Sequence, residues 1–188
     1  NLINIARSNK IFLSIVAAII LFLSYLSIPN IFSQSDISKE LKRQILNKFN
    51  LEFNFTNQLD YKFLPRPHFS SKEATIIFNG NKLSEIKNIK IYVSLENLFS
   101  FKNIIIKDIN LINANFNLEK SNYNFFLKIL KNDFVGAVLK IIDSNVFYRN
   151  IKNEVLIINK ILKMNYYYDS NELKNILYSE NEIFNMPY

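Results

Sequence analysis

One uncharged stretch constrains the fold of this chain more than any other feature. It reads IFLSIVAAIILFLSYLSI and covers the eighteen residues 11–28. As an α-helix it would be about 27 Å long, close to the ~30 Å hydrocarbon core of a bilayer. A core helix of a soluble domain would carry a polar face, but this segment offers only Ser14, Ser24 and Ser27. The stretch therefore predicts a transmembrane helix at residues 11–28.

The charges ahead of this segment predict its orientation. Arg7 and Lys10 precede it without any acidic residue, and positive residues stay on the cytoplasmic side of a membrane. We expect residues 1–10 in the cytoplasm and residues 29–188 on the opposite side. A cleaved signal peptide is the alternative, because its charged start looks the same. The apolar run exceeds the 7–15 residues typical of such signals, and residues 26–30 lack a small-x-small cleavage site, which favours an uncleaved anchor.

The residue types that the chain lacks exclude several catalytic and metal sites. Without cysteine, disulfides, thiolate metal sites and cysteine nucleophiles are impossible. Gly80 and Gly136 are the only glycines, too far apart for a dinucleotide fingerprint, a P-loop or a nucleophile elbow. His68 is the only histidine, and because it follows two prolines we expect it in a solvated loop rather than as a general base. We predict no enzyme, no cofactor and no metal site.

The net charge of +7 does not by itself indicate a nucleic-acid partner. The Lys and Arg residues are dispersed, and no nucleic-acid-binding motif accompanies them. Part of the charge follows from a composition rich in Asn, Ile, Lys, Phe and Tyr, residues with AT-rich codons. With 49% hydrophobic and 14% aromatic residues, the part beyond the anchor can form one domain with its own core.

An amphipathic helix is predicted directly after the anchor, at residues 35–49. Ile37, Leu41, Ile45 and Phe49 recur every four residues, with Lys, Arg and Glu on the other face. Ser35 or Asp36 can serve as its N-cap. Two placements are open, one covering the core of the domain and the other lying on the membrane surface.

Alternation of apolar and polar residues then predicts a series of short strands with one apolar face. Asn79-Gly80-Asn81 predicts a hairpin turn between two of them, because Asn and Gly accept the positive φ that such turns need. The apolar positions are Leu51, Phe53 and Phe55; Leu59, Tyr61 and Phe63; Ala74, Ile76 and Phe78; Ile89, Ile91, Val93 and Leu95; Ile104 and Ile106; Ile109 and Leu111; and Ala114, Phe116 and Leu118.

The last third of the chain mixes helical and strand periods. Residues 124–142 return to helical spacing, through apolar side chains such as Phe126, Phe134 and Ile141. Strands are predicted at residues 144–149 and 162–168, with a hairpin turn at residues 149–154. The predicted fold class is α+β: an N-terminal transmembrane helix followed by a curved, groove-like antiparallel β-meander with two amphipathic helices.

Three segments resemble the N-terminal region of the AsmA family, whose members are anchored in the inner membrane of Gram-negative bacteria. Residues 59–69 (LDYKFLPRPHF) with residues 73–76 are similar to that family's strand, Pro-x-Pro bend and following strand. Residues 89–99 with residues 104–111 resemble its unit of two apolar strands joined by a turn. Residues 146–149 are similar to the strand that opens the next unit. By this resemblance, residues 29–188 are a periplasmic AsmA-like domain, expected to be the start of a longer protein.

The resemblance implies a protein that shelters phospholipid acyl chains on an apolar sheet face, in lipid transport and outer-membrane assembly. Its partners would be membrane lipids, with other envelope proteins as further candidates and no nucleic acid. The alternative is a non-catalytic interaction module that docks other envelope proteins through a sheet edge. The candidate lipid-facing residues, expected on one side of the sheet, are Phe53, Phe55, Tyr61, Phe63, Ile91, Val93, Leu95, Ile104, Ile106, Leu111, Phe116 and Leu118.

Overall fold

The N-terminal segment is a long, exposed helix. The computed structural model describes residues 9–78, 80–96, 98–100, 102–127 and 136–188 with their side chains, and residues 2–8, 101 and 128–131 by their backbone. Helix α1 (Leu2–Ser27) is followed by a short 3₁₀ helix (Ile28–Ile31) in which Pro29 is buried. Within this segment Asn9–Ile31 is long and apolar enough to span a membrane. Its side chains are mostly exposed up to Ser24, whereas Leu26 and Pro29 are buried. A helix able to span a membrane is therefore present where the sequence predicts one. The side chain of Arg7, used to predict orientation, lies outside the described residues.

Helix α2 (Gln34–Phe49) covers the core of the domain. Ile37, Leu41, Ile45 and Phe49 are at most 1% exposed, and the helix packs against the first strand of the sheet and the 3₁₀ helix Phe101–Asn103. Of the two placements open from the sequence, the structure therefore shows the one over the core. The N-cap residue is Ser33 rather than the predicted Ser35 or Asp36, and its backbone carbonyl accepts the first hydrogen bonds of the helix.

The rest of the chain forms a large, mostly antiparallel open sheet. Its strand order is β1-β3-β4-β5-β6-β7-β8-β9, with β2 paired to β3. One face, which we call the inner face, carries the buried apolar residues of the strands together with α2. The nine described strands are β1 (Glu52–Phe55), β2 (Asp60–Lys62), β3 (His68–Phe78), β4 (Asn81–Val93), β5 (Ile106–Leu118), β6 (Val138–Arg149), β7 (Val155–Asp169), β8 (Lys174–Ile183) and β9 (Met186–Pro187).

Two hairpins lie where the sequence predicts them. Phe78 pairs with Asn81 across a two-residue turn in which Gly80 has φ of 77°; Asn79 itself lies outside the described residues. At the second turn the side chain of Asn150 organises the backbone, since its Oδ1 accepts hydrogen bonds from the amides of Lys152 and Glu154, each at 2.9 Å. At this second turn Asn150 therefore supplies the turn chemistry without a glycine.

The predicted helix at residues 124–142 is wrong over its second half. Helix α3 spans Tyr123–Lys131, residues 132–135 (with Phe134) lie outside the described residues, and β6 begins at Val138. Because α3 returns the chain to the end of the sheet where β5 began, β6 pairs with β5 in parallel. The sheet is therefore not a pure antiparallel meander, since it contains one βαβ crossover.

A row of left-handed residues crosses the middle of the sheet. Glu73 in β3, Asn113 in β5 and Asp143 in β6 have φ values of 61°, 53° and 48°, and the strand registers place them level with one another, with Lys87 of β4 between the first two. At each left-handed residue the alternation of buried and exposed side chains shifts by one position. The buried residues next to it therefore have odd numbers on its N-terminal side and even numbers on its C-terminal side. The inner face therefore stays apolar along strands of 11 to 13 residues.

This row explains why one strand was predicted as several. In β5 the buried positions step from Leu111 to Ala114, a spacing that breaks period two and predicts a strand boundary. Asn113 instead adopts the left-handed conformation, which Asn tolerates well. The separate strands predicted at residues 104–106, 109–111 and 114–118 are therefore wrong, and β5 runs unbroken from Ile106 to Leu118.

Glu73 allows a direct test of this row. A left-handed backbone costs an L-residue about 1–2 kcal/mol and costs glycine nothing. We expect Glu73→Gly to raise the free energy of unfolding by up to about 1 kcal/mol, after the entropic cost of glycine. The matched control is Glu85→Gly in β4, another exposed glutamate in an extended strand, which should lower it by about 0.5–1 kcal/mol. Equal losses in thermal melts of the two variants would contradict the assignment.

Candidate functional site

An apolar cavity lies between the inner face of the sheet and helix α3. Its volume is about 300 Å³, and every described lining residue is aliphatic, aromatic or methionine, with only tyrosine hydroxyls as polar side-chain groups. The lining residues are Leu51, Ile76, Leu83, Leu111, Phe116, Leu118, Tyr123, Phe125, Phe126, Leu127, Leu139, Ile141, Val146, Tyr148, Ile161, Met164, Tyr166 and Leu177.

The cavity exists because α3 stands on aromatic side chains at the end of the sheet. Phe125 packs on Phe78 at the end of β3, with ring centroids 4.6 Å apart, and Phe126 meets Phe125 edge to face at 5.5 Å. Beneath the helix, the sheet offers aliphatic side chains of β5, β6 and β7. The helix has nine residues, and space remains between the two layers.

The exposure of the lining residues shows where the cavity opens. Leu51 and Leu111 are 1% exposed and form its floor. Tyr123, Tyr148 and Leu177 are 53%, 37% and 50% exposed and form its mouth. Tyr148 pairs with Leu118 at the far end of β5, whereas Leu177 pairs with Tyr166, which is level with Leu139 and Ile109 near the start of β5. The mouth therefore extends along the sheet, from the end opposite the loop between β4 and β5 toward the end beside that loop.

The size and lining of the cavity determine what it can hold. A cavity of about 150 Å³ lined by Leu, Ile and Phe stays dry and binds benzene. A space of about 300 Å³ without charged groups is therefore suited to an apolar ligand such as part of an acyl chain. A charged headgroup has no partner inside and would have to remain at the mouth, since burying an unpaired charge is costly.

The twelve candidate lipid-facing residues do not form one site. Three of them, Leu111, Phe116 and Leu118, line the cavity. Seven are packed into the main core beneath α2, and Phe63 is partly buried against it; those seven are Phe53, Phe55, Tyr61, Ile91, Val93, Ile104 and Ile106. Leu95 lies after the end of β4 and is 47% exposed, so the prediction that it continues the buried alternation is wrong.

The other cavity residues were not predicted as site residues. Leu51 lies directly before β1, and Ile76 and Leu83 lie in β3 and β4. The remainder come from α3, β6, β7 and β8, whose strands or helical spacing the sequence partly indicates, as with Met164 and Tyr166. What the sequence does not indicate is that β6 lies beside β5. Leu139 and Ile141 reach the cavity only through this parallel pairing, in which they are level with Ile109 and Leu111.

Tyr61 shows how closed the main core is. Its hydroxyl is buried and, among the described residues, has no hydrogen-bond partner. Burial, and secondarily the proximity of Tyr25, raises the pKa of Tyr61 to about 12. A buried hydroxyl without a hydrogen-bond partner lowers the stability of the fold. The ring of Tyr61 offsets this cost because it packs on Phe69, with centroids 5.1 Å apart.

His68 is buried rather than solvated, contrary to prediction. It begins β3, is 3% exposed, packs on Tyr92 at 5.1 Å and shares a hydrogen bond of 2.7 Å with the carbonyl of Arg66 through Nδ1. Arg66 in turn donates to Asp108 at 2.9 Å. These contacts form a structural cluster, and among the described residues no group of His, Asp or Glu side chains is placed to hold a metal ion.

Anchor, sheet and cavity together define the class of protein. The described residues combine a helix able to span a membrane with a large open sheet that carries an apolar cavity. Its sequence matches the AsmA family over residues 6–133, more than half of the chain. The chain therefore belongs to the AsmA family, as its sequence motifs predict. The match includes the anchor, α2 and β1–β5, while β6–β9 lie beyond it.

A search of curated proteins found no match to this chain.

Proposed function

We propose that this protein binds phospholipid through an acyl chain in its apolar cavity and takes part in lipid transport and outer-membrane assembly without catalysis. The observation that carries the proposal is the uncharged lining of a cavity that opens to the surface. Membership of the AsmA family suggests a function associated with the cell envelope, and lipid is the abundant apolar ligand in that setting.

We further propose that the anchor crosses the bacterial inner membrane with its N-terminus in the cytoplasm, so that the sheet lies in the periplasm. Arg7 and Lys10 precede the span without acidic residues, which supports this orientation. The loop between β4 and β5 contacts the anchor, since the carbonyl of Leu95 accepts a hydrogen bond from the hydroxyl of Tyr25. The part of the mouth formed by Tyr123 and Tyr148 lies at the other end of the sheet, a position suited to passing lipid onward.

A second candidate function rests on the far edge of the sheet. Leu156, Ile158 and Phe184 are 63%, 48% and 77% exposed, and β8 and β9 form this edge. Exposed apolar groups beside strand edges mark surfaces that other proteins extend or cover. The same protein could therefore dock an envelope partner here instead of carrying lipid.

The test of lipid binding is native mass spectrometry of the full chain, purified in mild detergent from a Gram-negative host. Under the proposal, phospholipid stays bound at one molecule per chain after extended detergent washing, because the chain in the cavity is shielded, whereas lipid around α1 exchanges freely. A washed protein that is folded and free of lipid, and that takes up no added phospholipid, would contradict the proposal and favour the docking function.

A further inference from the structure

The last turn of the anchor is bound to the domain by a loop between β4 and β5. The hydroxyl of Tyr25 in α1 donates to the carbonyl of Leu95 at 2.5 Å and accepts from the amide of Leu98 at 3.4 Å. Its ring meets Phe99 edge to face, with centroids 5.8 Å apart. Leu26, the next residue, is 6% exposed and belongs to the hydrophobic core. The loop residues 94–96 and 98–100, which we call the anchor-contacting loop, are therefore fixed at the level of Tyr25.

The depth of Tyr25 in the membrane follows from helix geometry. From Ile11, the first residue after Lys10, the hydrocarbon core of about 30 Å needs about 20 helical residues. Tyr25 is fourteen residues along, at about 21 Å. Residues 26–31, the last part of the candidate span, are needed to cross the remaining distance. A loop fixed to Tyr25 therefore lies at the level of the membrane and not above it.

The side chains beside this contact match such a location. Phe99 is 64% exposed, Leu95 is 47% exposed and Ile31 is 81% exposed, whereas neighbouring residues of the core are buried. These three apolar groups lie on the side of the domain that the anchor enters. Lys102, exposed in the following 3₁₀ helix, adds a positive charge that an anionic leaflet would attract.

We propose that the anchor-contacting loop inserts into the bilayer leaflet from which the anchor emerges, with Leu95, Phe99 and Ile31 among the lipid chains. The inference rests on the proposed function only in requiring that α1 crosses a membrane. Insertion at a second point beside the helix fixes the tilt of the sheet relative to the membrane. Packing in the core does not account for the exposure of Leu95, whereas insertion into the leaflet does.

The chain contains no tryptophan, so single Phe→Trp variants report membrane depth without further changes. The full chain is reconstituted into vesicles of phosphatidylcholine and phosphatidylglycerol, with and without brominated acyl chains, which quench tryptophan on contact. Phe99→Trp is the test and Phe22→Trp within the span is the control for insertion of the anchor. Phe184→Trp is the control for the domain: it lies at the opposite end of the sheet, about 33 Å away along the strands, and is 77% exposed.

Under the proposal, brominated lipid quenches most of the emission of Phe99→Trp and Phe22→Trp and leaves that of Phe184→Trp unchanged. Quenching of Phe22→Trp alone would overturn the inference while leaving the anchor intact. No quenching at any position would show that α1 does not insert, which refutes the membrane anchor itself. Equal quenching of Phe184→Trp and Phe99→Trp would also overturn the inference, because contact would then not be specific to the loop. Leu95→Trp provides a second reporter if Phe99→Trp disturbs the contact with Tyr25.

Discussion

Replacing Val93 by glutamate is expected to lower the free energy of unfolding by about 3–5 kcal/mol, the cost of an unpaired buried charge. Val93 is 5% exposed, pairs with the buried Ile106 across the β4–β5 ladder and belongs to the core beneath α2. Domains of this size are stable by only about 5–15 kcal/mol. We therefore expect a large fall in the thermal midpoint of the full chain in detergent, followed by circular dichroism.

Lys87→Glu is the matched control for this variant, because it places the same side chain on the same strand at an exposed position. We expect its midpoint to change little, as is usual for surface substitutions. If Val93 instead faced an open groove, glutamate would leave the domain folded and affect only bound lipid. Similar melts for Val93→Glu and Lys87→Glu would therefore show that the packed core has been placed on the wrong part of the sheet.

Local patterns predict the parts of this fold that depend on neighbours in sequence. The anchor follows from an uninterrupted apolar run, and α2 from four apolar residues spaced by four, which the structure buries. The hairpin turns follow from Asn and Gly chemistry. In each case the pattern that identifies the element lies within a short stretch of the sequence.

The error at residues 124–142 has an identifiable physical cause. The apolar residues of α3 and those of β6, such as Val138 and Ile141, happen to continue one helical spacing, and short apolar runs fit both periods. Gly136 lies between the end of α3 at Lys131 and the start of β6 at Val138, and its φ of 71° is typical of glycine. This glycine is one of only two in the chain, and it is the sequence feature that indicates a boundary between helix and strand.

The site could be predicted only in part because it is built across a distant pairing. Leu111, Phe116 and Leu118 were identified as apolar-face residues from alternation alone. Many of their neighbours in the cavity come from strands 20 or more residues further on, brought alongside by the parallel β5–β6 ladder. The local periodicity does not distinguish apolar residues that pack against a helix from apolar residues that line a cavity. The difference between core and cavity is therefore a property of the tertiary structure.

Filling the cavity should remove lipid binding without unfolding the domain. Val146 lines the cavity from β6, and Val146→Phe would place an aromatic ring in the space that we assign to an acyl chain. Because the space is already present, the ring should change the free energy of unfolding by at most about 1 kcal/mol. We expect native mass spectrometry to show loss of most of the retained phospholipid, with a thermal midpoint close to that of the unmodified chain.

Val138→Phe provides a control with the same change on the same strand. Both residues occupy even positions of β6, but the left-handed Asp143 between them resets the alternation, so Val138 lies on the outer face beside Asp108 and Tyr167. Lipid should stay bound in Val138→Phe and leave in Val146→Phe, a difference that lipid around α1 cannot produce. Retention of one phospholipid by both variants would place the bound lipid outside the cavity, and loss from both would mean that the effect is not specific to the inner face.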